Sequence, residues 1–179
     1  AGNFTNSTIL PNLKKLGASI KYIVSSKGLS GKLSAKKFEI GAAATDDQLV
    51  FEDKEVNTVL VTTRHNLHAA QSIQALEKGK HVFVEKPLAL SIEELDAVRS
   101  AYNKSNGSVT VGFNRRFSPF IVDMKKQLKG ANGSINVIAT MNAGAIPLDH
   151  WTQDLEIGGG RIIGEACHFI DLMQFLVGR

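Results

Sequence analysis

The sequence has a single cysteine and no long apolar run. Cys167 has no partner within the chain for a disulfide, so we expect a protein of a reducing compartment and predict a cytoplasmic one. No apolar run approaches the roughly 20 residues that a membrane helix needs. These scarcities argue against a disulfide-stabilised secreted domain and against a membrane partner.

The sequence also has little net charge. The formal net charge is +4, from 21 Lys and Arg against 17 Asp and Glu. The paired lysines are not interleaved with aromatic residues, and they fall on separate predicted helices, which is typical of solvated helix faces. We therefore predict no nucleic-acid partner. The lysine groups are Lys14 and Lys15, Lys36 and Lys37, and Lys125, Lys126 and Lys129.

Strand-like apolar runs alternate with helical patterns along most of the chain. Strands are predicted at 20–24, 59–62, 81–84 and 109–111, and helices at 6–16, 29–38, 68–78, 91–103 and 118–129. Ser91 and Glu94 form a capping-box pattern at the start of one helix. After Gly130 the pattern changes to a strand at 135–141, a loop with three glycines, and an apolar helix at 162–177. Strand–helix alternation with short connections predicts an α/β fold with a parallel sheet covered on both faces.

The first residues match half of a phosphate-binding loop. Gly2, Asn3 and Phe4 precede a helical segment, as the second glycine does in a Gly-x-Gly-x-x-Gly fingerprint. Backbone N–H groups at such a helix start face phosphates. The preceding strand and first glycine would then lie before residue 1. Taken alone, these residues favour the alternative that Gly2 is a flexible terminal residue, and the rest of the chain favours the phosphate loop.

The second predicted strand ends in Ser25, Ser26 and Lys27, with no acid. An acid at this place in a dinucleotide fold accepts from the ribose hydroxyls, and it would repel a 2′-phosphate. Hydroxyls and a lysine accommodate that phosphate, so we predict NADP as more favoured than NAD. An ordinary Ser/Gly turn is the alternative.

Glu85, Lys86 and Pro87 follow a buried strand. Ligands bind at the carboxyl edge of parallel strands, and Pro87 ends the pairing there. Lys86 would donate to a substrate oxygen and take part in proton transfer. Glu85 would orient the lysine or the cofactor. A surface ion pair at a strand end is the alternative.

Four stretches in order resemble the glucose–fructose oxidoreductase/inositol dehydrogenase (Gfo/Idh/MocA) family: 59–68, 79–89, 111–117 and 158–171. The resemblance covers essentially the whole chain, and it is greatest to the branch fused to zinc alcohol dehydrogenase-like modules. It implies a Rossmann-type parallel-sheet domain at 1–115, lacking its first strand, followed at 116–179 by the start of an α/β substrate and oligomerisation domain with an open sheet. The implied reaction is hydride transfer between a nicotinamide and a sugar, cyclitol or polyol carbon. A homo-oligomer is left open.

The resemblance also assigns residues to roles. It implies that Lys86 and His168 are catalytic, and Glu165 is the acid before His168, since Gly164 stands where many members carry an aspartate. Glu165, His168 and Asp171 recur along one helix face and suggest a proton relay in which an acid fixes the histidine tautomer. A structural histidine is the alternative. Further cofactor contacts are predicted at Thr62, Thr63, Arg64, His68, Glu85 and Lys86, and substrate contacts at Lys86, Asn114, Arg115, Trp151 and His168.

Several alternatives remain open from the sequence. Trp151 would stack on a sugar ring or anchor the loop by packing. The His65-x-x-His68 spacing is better explained by the cofactor pocket or a helix cap than by zinc, so no metal site is predicted. The rivals to an enzyme are a nucleotide-binding sensor module and a structural partner of a fused dehydrogenase.

Overall fold

The computed structural model describes residues 2–130 and 133–178. The described strands are all parallel, and helices lie between them in sequence, so the predicted α/β alternation is confirmed. The strands are β1 (Tyr22–Val24), β2 (Ala42–Ala44), β3 (Thr58–Val61), β4 (His81–Val84) and β5 (Val109–Val111).

Where both exist, the helices begin and end within one residue of the predicted ones, once the π-helical turns before the first and the last helix are included. The α-helices are α1 (Leu10–Lys15), α2 (Gly28–Phe38), α3 (Gln48–Glu52), α4 (His68–Glu77), α5 (Ile92–Lys104), α6 (Pro119–Leu128) and α7 (Cys167–Val177). Two of them continue π-helical turns, Thr5–Ile9 before α1 and Ile162–Ala166 before α7. Such turns are rare and concentrate at functional sites.

The start of α5 shows how the sequence sets a helix boundary. The Ser91 hydroxyl accepts from the Glu94 amide at 3.2 Å, and the Glu94 carboxylate accepts from the Leu90 amide at 2.7 Å. Two amides that the helix itself leaves without acceptors are thereby satisfied. The predicted capping pair of Ser91 and Glu94 is therefore present, although the glutamate reaches one residue further back than in the usual box.

The strands form two separate sheets, β1–β2 and β3–β4–β5. Side-chain contacts connect the two sheets at both ends of the gap between β1 and β3. At the carboxyl ends, the Thr5 hydroxyl donates to the Thr62 hydroxyl at 3.0 Å. At the other end, the Tyr22 hydroxyl donates to Asp53 at 2.8 Å.

The larger core lies between the three-stranded sheet and helices α4 and α5. Val59 and Val61 on β3 alternate with exposed positions, and Val82 and Val84 on β4 alternate with less buried ones. These four valines are buried in one cluster with Leu76. The smaller core holds Leu10, Ile23 and Ile40 beside β1. The three-stranded sheet is therefore the better supported platform for a site.

The predicted strand at 135–141 is wrong. The described segment 134–147 forms no ladder, and the Ile138 side chain is 92% exposed. A strand pattern becomes a strand only when its amides pair with a neighbour, and no described segment pairs with this one. Two short elements, β2 and α3, were not predicted, because three consecutive alanines have low strand propensity and five residues carry little helical periodicity.

None of the helices in the described ranges combines the length and apolar character required to cross a bilayer.

Candidate active site

A cleft of about 2070 Å³ opens at the carboxyl ends of the strands and continues into the gap between the two sheets. It brings together residues that the sequence places far apart. The predicted residues lining it are Gly2, Asn3, Phe4, Ser25, Ser26, Lys27, Thr62, Thr63, Arg64, His68, Glu85, Lys86, Asn114, Trp151 and His168. Of the predicted site residues, Arg115 and Glu165 are not in this lining; they contact each other beside Lys86.

The N-terminal residues form the first turn of a helix at the cleft. The Gly2 carbonyl accepts from the backbone amide of Asn6 at 3.1 Å and from its side-chain amide at 3.1 Å. The Thr5 contact with Thr62 then joins this turn to the end of β3. The segment predicted to hold phosphates is thus next to the strand end predicted to underlie the cofactor.

The loop after β1 carries hydroxyls and a cation. The Ser25 hydroxyl lies 2.9 Å from that of Ser30, while Ser26 and Lys27 are exposed at the cleft. Two further acids, Asp46 and Asp47, line the cleft directly after β2. The Asp47 carboxylate accepts from Gln71 at 2.9 Å, so it is engaged with α4.

Lys86 is held by the turn that begins the last helix. Its peptide bond to Pro87 is cis. Its ammonium group donates to the Gly164 carbonyl at 2.6 Å and lies 3.6 Å from the Glu165 carboxylate. The Lys86 side chain is only 17% exposed. The structure therefore brings two predicted catalytic residues together from distant parts of the chain.

Glu165 connects Lys86 to a second cation. One carboxylate oxygen faces Lys86, and the other accepts from Arg115 at 3.1 Å. The Arg115 guanidinium also lies 4.5 Å above the centre of the Phe169 ring. Arg115, predicted from the sequence to contact substrate, is thus engaged with the acid and with the ring behind it.

His168 is buried, and burial together with the charges of Lys86 and Arg115 lowers its pKa to about 4. The imidazole is therefore neutral near pH 7 and able to accept a proton. Its Nδ1 atom has no hydrogen-bond partner within 2–130 and 133–178. The ring packs edge-on against Phe113 at 6.1 Å.

The predicted acid contact to His168 is wrong for this structure. Asp171 instead accepts from both Nε and Nη2 of Arg116, the former at 2.6 Å. Glu165 is held by Lys86 and Arg115. Because a buried carboxylate pairs with a guanidinium more strongly than with a neutral imidazole, the acids on this helix serve the cations and not the histidine.

Burial changes the pKa values of two further groups, the Glu85 carboxyl and the Cys167 thiol. Glu85 packs so closely over Gly112 that a Cβ there would come within 2.8 Å of its Oε1 atom. Burial raises the pKa of Glu85, and it also raises that of the Cys167 thiol. A raised thiol pKa is the opposite of what a cysteine nucleophile needs.

His68 clamps two loops beneath the cleft. Its Nδ1 atom lies 2.7 Å from the Pro87 carbonyl and its Nε2 atom 3.2 Å from the Thr63 carbonyl. Burial lowers the pKa of His68, so the neutral ring carries one proton, which the shorter contact assigns to Nδ1. His68 therefore fixes Pro87, the residue after Lys86.

His65 is the main site residue that sequence reasoning did not select. Its Nδ1 atom lies 2.8 Å from the Gly158 carbonyl, and its ring meets the Trp151 ring at 4.8 Å. The Arg64 guanidinium lies 4.8 Å from the centre of the same Trp151 ring. Trp151 is thus a packing anchor in this structure. The only sequence signal was the spacing of His65 from His68.

Comparison with known proteins agrees with this geometry. A family model described as an oxidoreductase family with an NAD-binding Rossmann fold matches residues 1–113. The chain is 31% identical over 147 residues to scyllo-inositol 2-dehydrogenase (NAD(+)) of Bacillus subtilis (strain 168), covering 80% of the chain and 42% of that protein. It is 32% identical over 152 residues to levoglucosan dehydrogenase of Pseudarthrobacter phenanthrenivorans, covering 81% and 39%.

Solved structures give the same result. Levoglucosan dehydrogenase in complex with NADH and levoglucosan superposes with a TM-score of 0.83 at 28% identity, covering 99% of this chain and 52% of that one. The chain spans half or less of the length of the curated relatives named above. The family match over residues 1–113, with the strand-end lysine and buried histidine in one cleft, shows that the chain belongs to the Gfo/Idh/MocA oxidoreductase family.

Proposed function

We propose that the protein is an NAD(P)-dependent oxidoreductase, with NADP favoured over NAD, that transfers hydride between the nicotinamide and a CH–OH or carbonyl carbon of a sugar, cyclitol or polyol. The observation that carries this proposal is the meeting of Lys86 with the helix of Glu165 and His168 at the carboxyl edge of the sheet. The bound nicotinamide supplies the hydride acceptor or donor. The residues of this chain handle the substrate oxygen and its proton.

The cleft fits such a cofactor on its own chemistry. The first turn of a helix at Gly2, Asn3 and Phe4 suits a pyrophosphate, because its amides have no acceptors within the helix. The exposed Ser26 and Lys27 suit a 2′-phosphate, because they provide a donor and a positive charge.

Lys86 and His168 divide the work on a substrate hydroxyl. The Lys86 ammonium group donates to the substrate oxygen, while neutral His168 accepts the hydroxyl proton as hydride leaves the carbon. The reverse reaction uses the same two groups with the proton moving back. Glu165 keeps the lysine in position through the 3.6 Å contact.

The first experiment is a titration of the longest natural form of the protein with NADPH and NADH, following nicotinamide fluorescence. Turnover is then measured on a panel of sugars and cyclitols. Lys86→Met should lower kcat by about 10²- to 10⁴-fold while cofactor binding persists. Lys78→Met is the matched control, because Lys78 pairs on the surface with Glu52 at 2.7 Å.

The outcomes separate three functions. Turnover that depends on Lys86 supports the enzyme. Binding of cofactor without turnover of any substrate would replace the enzyme with a nucleotide sensor, and absence of binding to either cofactor would leave a structural module.

The NADP preference has its own test. Ser26→Asp should weaken NADPH binding by about tenfold or more and spare NADH, because a carboxylate repels the 2′-phosphate. Ser100→Asp on the exposed face of α5 is the control. Equal affinities of the unaltered protein for both cofactors would contradict the preference.

The larger organisation is also a proposal. We propose that residues 1–115 and 116–179 are parts of two domains, and that the chain belongs to a protein fused to a zinc alcohol dehydrogenase-like module. The same family resemblance leaves homo-oligomerisation through the second domain open. The mass of the natural protein, its bound zinc and its sedimentation behaviour test the fusion and the association separately.

A further inference from the structure

The helix that carries the candidate catalytic residues begins against the ring of His65. A Cβ atom on Gly164 would lie 3.2 Å from His65 Cε1, 3.6 Å from His65 Nδ1 and 3.5 Å from the Gly158 carbonyl oxygen. The first distance is tighter than ordinary van der Waals contact. The imidazole therefore occupies the space that a side chain at position 164 would need.

The His65 ring is not free to give way. Only 9% of the residue is exposed, and its Nδ1 atom lies 2.8 Å from the Gly158 carbonyl. Since a carbonyl only accepts, Nδ1 carries the proton of the neutral ring, and burial lowers the pKa of His65 in the same sense. The rings of Trp151 at 4.8 Å and His68 at 5.6 Å hold the other sides.

The backbone at position 164 is also in use. The Gly164 carbonyl accepts from Lys86 at 2.6 Å, so a shift of this turn away from His65 would pull on the lysine. The next residue, Glu165, lies on the open side of the turn. Its carboxylate contacts Lys86 at 3.6 Å and Arg115 at 3.1 Å.

We propose that His65 and Gly164 form a matched pair that places the active-site carboxylate on Glu165, and that His65 and Arg115 are positioning residues for it. His65 fills the space beside Gly164 and fixes the turn whose carbonyl holds Lys86. Arg115 anchors the far oxygen of Glu165. The catalytic meaning of this arrangement rests on the proposed function; the packing of the pair does not.

The first test measures packing alone. In the longest natural form of the protein, Gly164→Ala should lower Tm by about 3 °C or more, a shift expected for loss of good packing in a domain of this size. In a His65→Asn background, which keeps a side-chain N–H donor but removes the ring, Gly164→Ala should leave Tm unchanged or raise it, because alanine favours helix over glycine. An equal effect of Gly164→Ala in both backgrounds overturns the pair.

The second test moves the carboxylate. Glu165→Gln should lower kcat by about 100-fold with a smaller change in KM. When Gly164→Asp is added to the Glu165→Gln variant, kcat should rise by at least tenfold if His65 has also been replaced by asparagine. It should not rise if His65 is present, because the ring occupies the space that the new carboxylate needs. An equal rise in kcat with and without His65 would overturn the proposal that His65 determines which position carries the carboxylate.

The Arg115 arm uses its conservative variant. Arg115→Lys should retain more kcat than Arg115→Met, because a cation still faces Glu165, and both should bind NADPH as the unaltered protein does. Equal kcat values for the two variants would remove Arg115 from the proposal. If no form of the protein turns over, the Tm comparison still decides the pair, so failure of the proposed function and failure of this inference are distinguishable.

Discussion

At the scale of single residues, burial sets which groups in the site are charged. His65, His68 and His168 are all buried, and the pKa of each is lowered chiefly by loss of solvation. Glu85 is shifted in the opposite direction for the same reason. The lysine and arginines of the site form ion pairs with its acids, Lys86 and Arg115 with Glu165 and Arg116 with Asp171.

These histidines predict how stability depends on pH. The pKa of His168 falls from its ordinary 6.5 to about 4 on folding, so between these values the unfolded chain binds more protons than the native state. The free energy of unfolding should therefore fall as the pH is lowered from about 6.5 to about 4. One extra proton corresponds to about 1.4 kcal/mol per pH unit.

Urea unfolding at several pH values checks this. His168→Asn should flatten the decline below pH 6.5, while His81→Asn, at a surface position beside Ser108, should not. A curve of the same steepness for the protein and the His168 variant would contradict the assignment.

The sequence could place Lys86 and His168 at the cleft because each belongs to a local pattern, a strand end and a helix stripe. It could not identify what those residues contact. The spacing of Glu165, His168 and Asp171 suggested contacts along one helix, whereas the acids pair with arginines from another turn. Contacts between distant segments, such as His65 with Gly164, depend on packing that no local spacing encodes.

At the scale of elements, helix ends are held by specific side chains from neighbouring segments. Lys125 on α6 donates to the Phe175 and Leu176 carbonyls at 2.6 and 3.0 Å, where α7 runs out of internal donors. A cation at a helix C-terminus also suits the helix dipole. Lys125, predicted from the sequence to lie on a solvated face, therefore fastens the helix that carries His168.

The Ser91 cap gives an element-scale prediction. Ser91→Ala should lower the free energy of unfolding by about 1 kcal/mol, because the Glu94 amide loses its acceptor. Urea titration followed by circular dichroism measures the change. Ser100→Ala, at an exposed position in the middle of the same helix, should leave the free energy of unfolding unchanged or raise it, since alanine has the higher helix propensity. Equal losses in both variants would contradict the cap.

Element boundaries were predictable where a cap or a glycine marks them, as at Ser91 and Gly79. The failures have a common cause. The strand predicted at 135–141 has a suitable pattern without a described partner, and β2 has a partner without a suitable pattern. Pairing, which is a property of two segments, decided both outcomes.

At the scale of the whole molecule, two sheets of unequal support line one cleft. The three-stranded sheet has buried valines on both β3 and β4, whereas β1 and β2 share a small core and leave alanines exposed. The cofactor residues predicted on the β1 side therefore lie on the sheet with the smaller buried core. The site residues near Lys86 lie on the sheet with the larger buried core.

Hydrogen exchange should reveal this difference. We expect the amides of β4 to exchange slowest, since β4 is paired on both sides and its two valines are buried, and those of β1 and β2 to exchange much faster. Mass spectrometry of peptides from both sheets measures the rates. Adding NADPH should slow exchange in the segment after β1 more than in β4. Equal protection of β1 and β4 without cofactor would contradict the unequal support.

Cys167 offers a practical consequence. It is the one thiol in the 179 residues, and it lies directly before His168 on the helix that Lys86 grips. The thiol is half-buried and burial raises its pKa, so a thiol-reactive dye labels it slowly in the folded helix and faster when this helix opens locally. The labelling rate therefore measures how often the helix that carries His168 opens. The attached dye would lie next to His168, and no cysteine would have to be introduced to place it there.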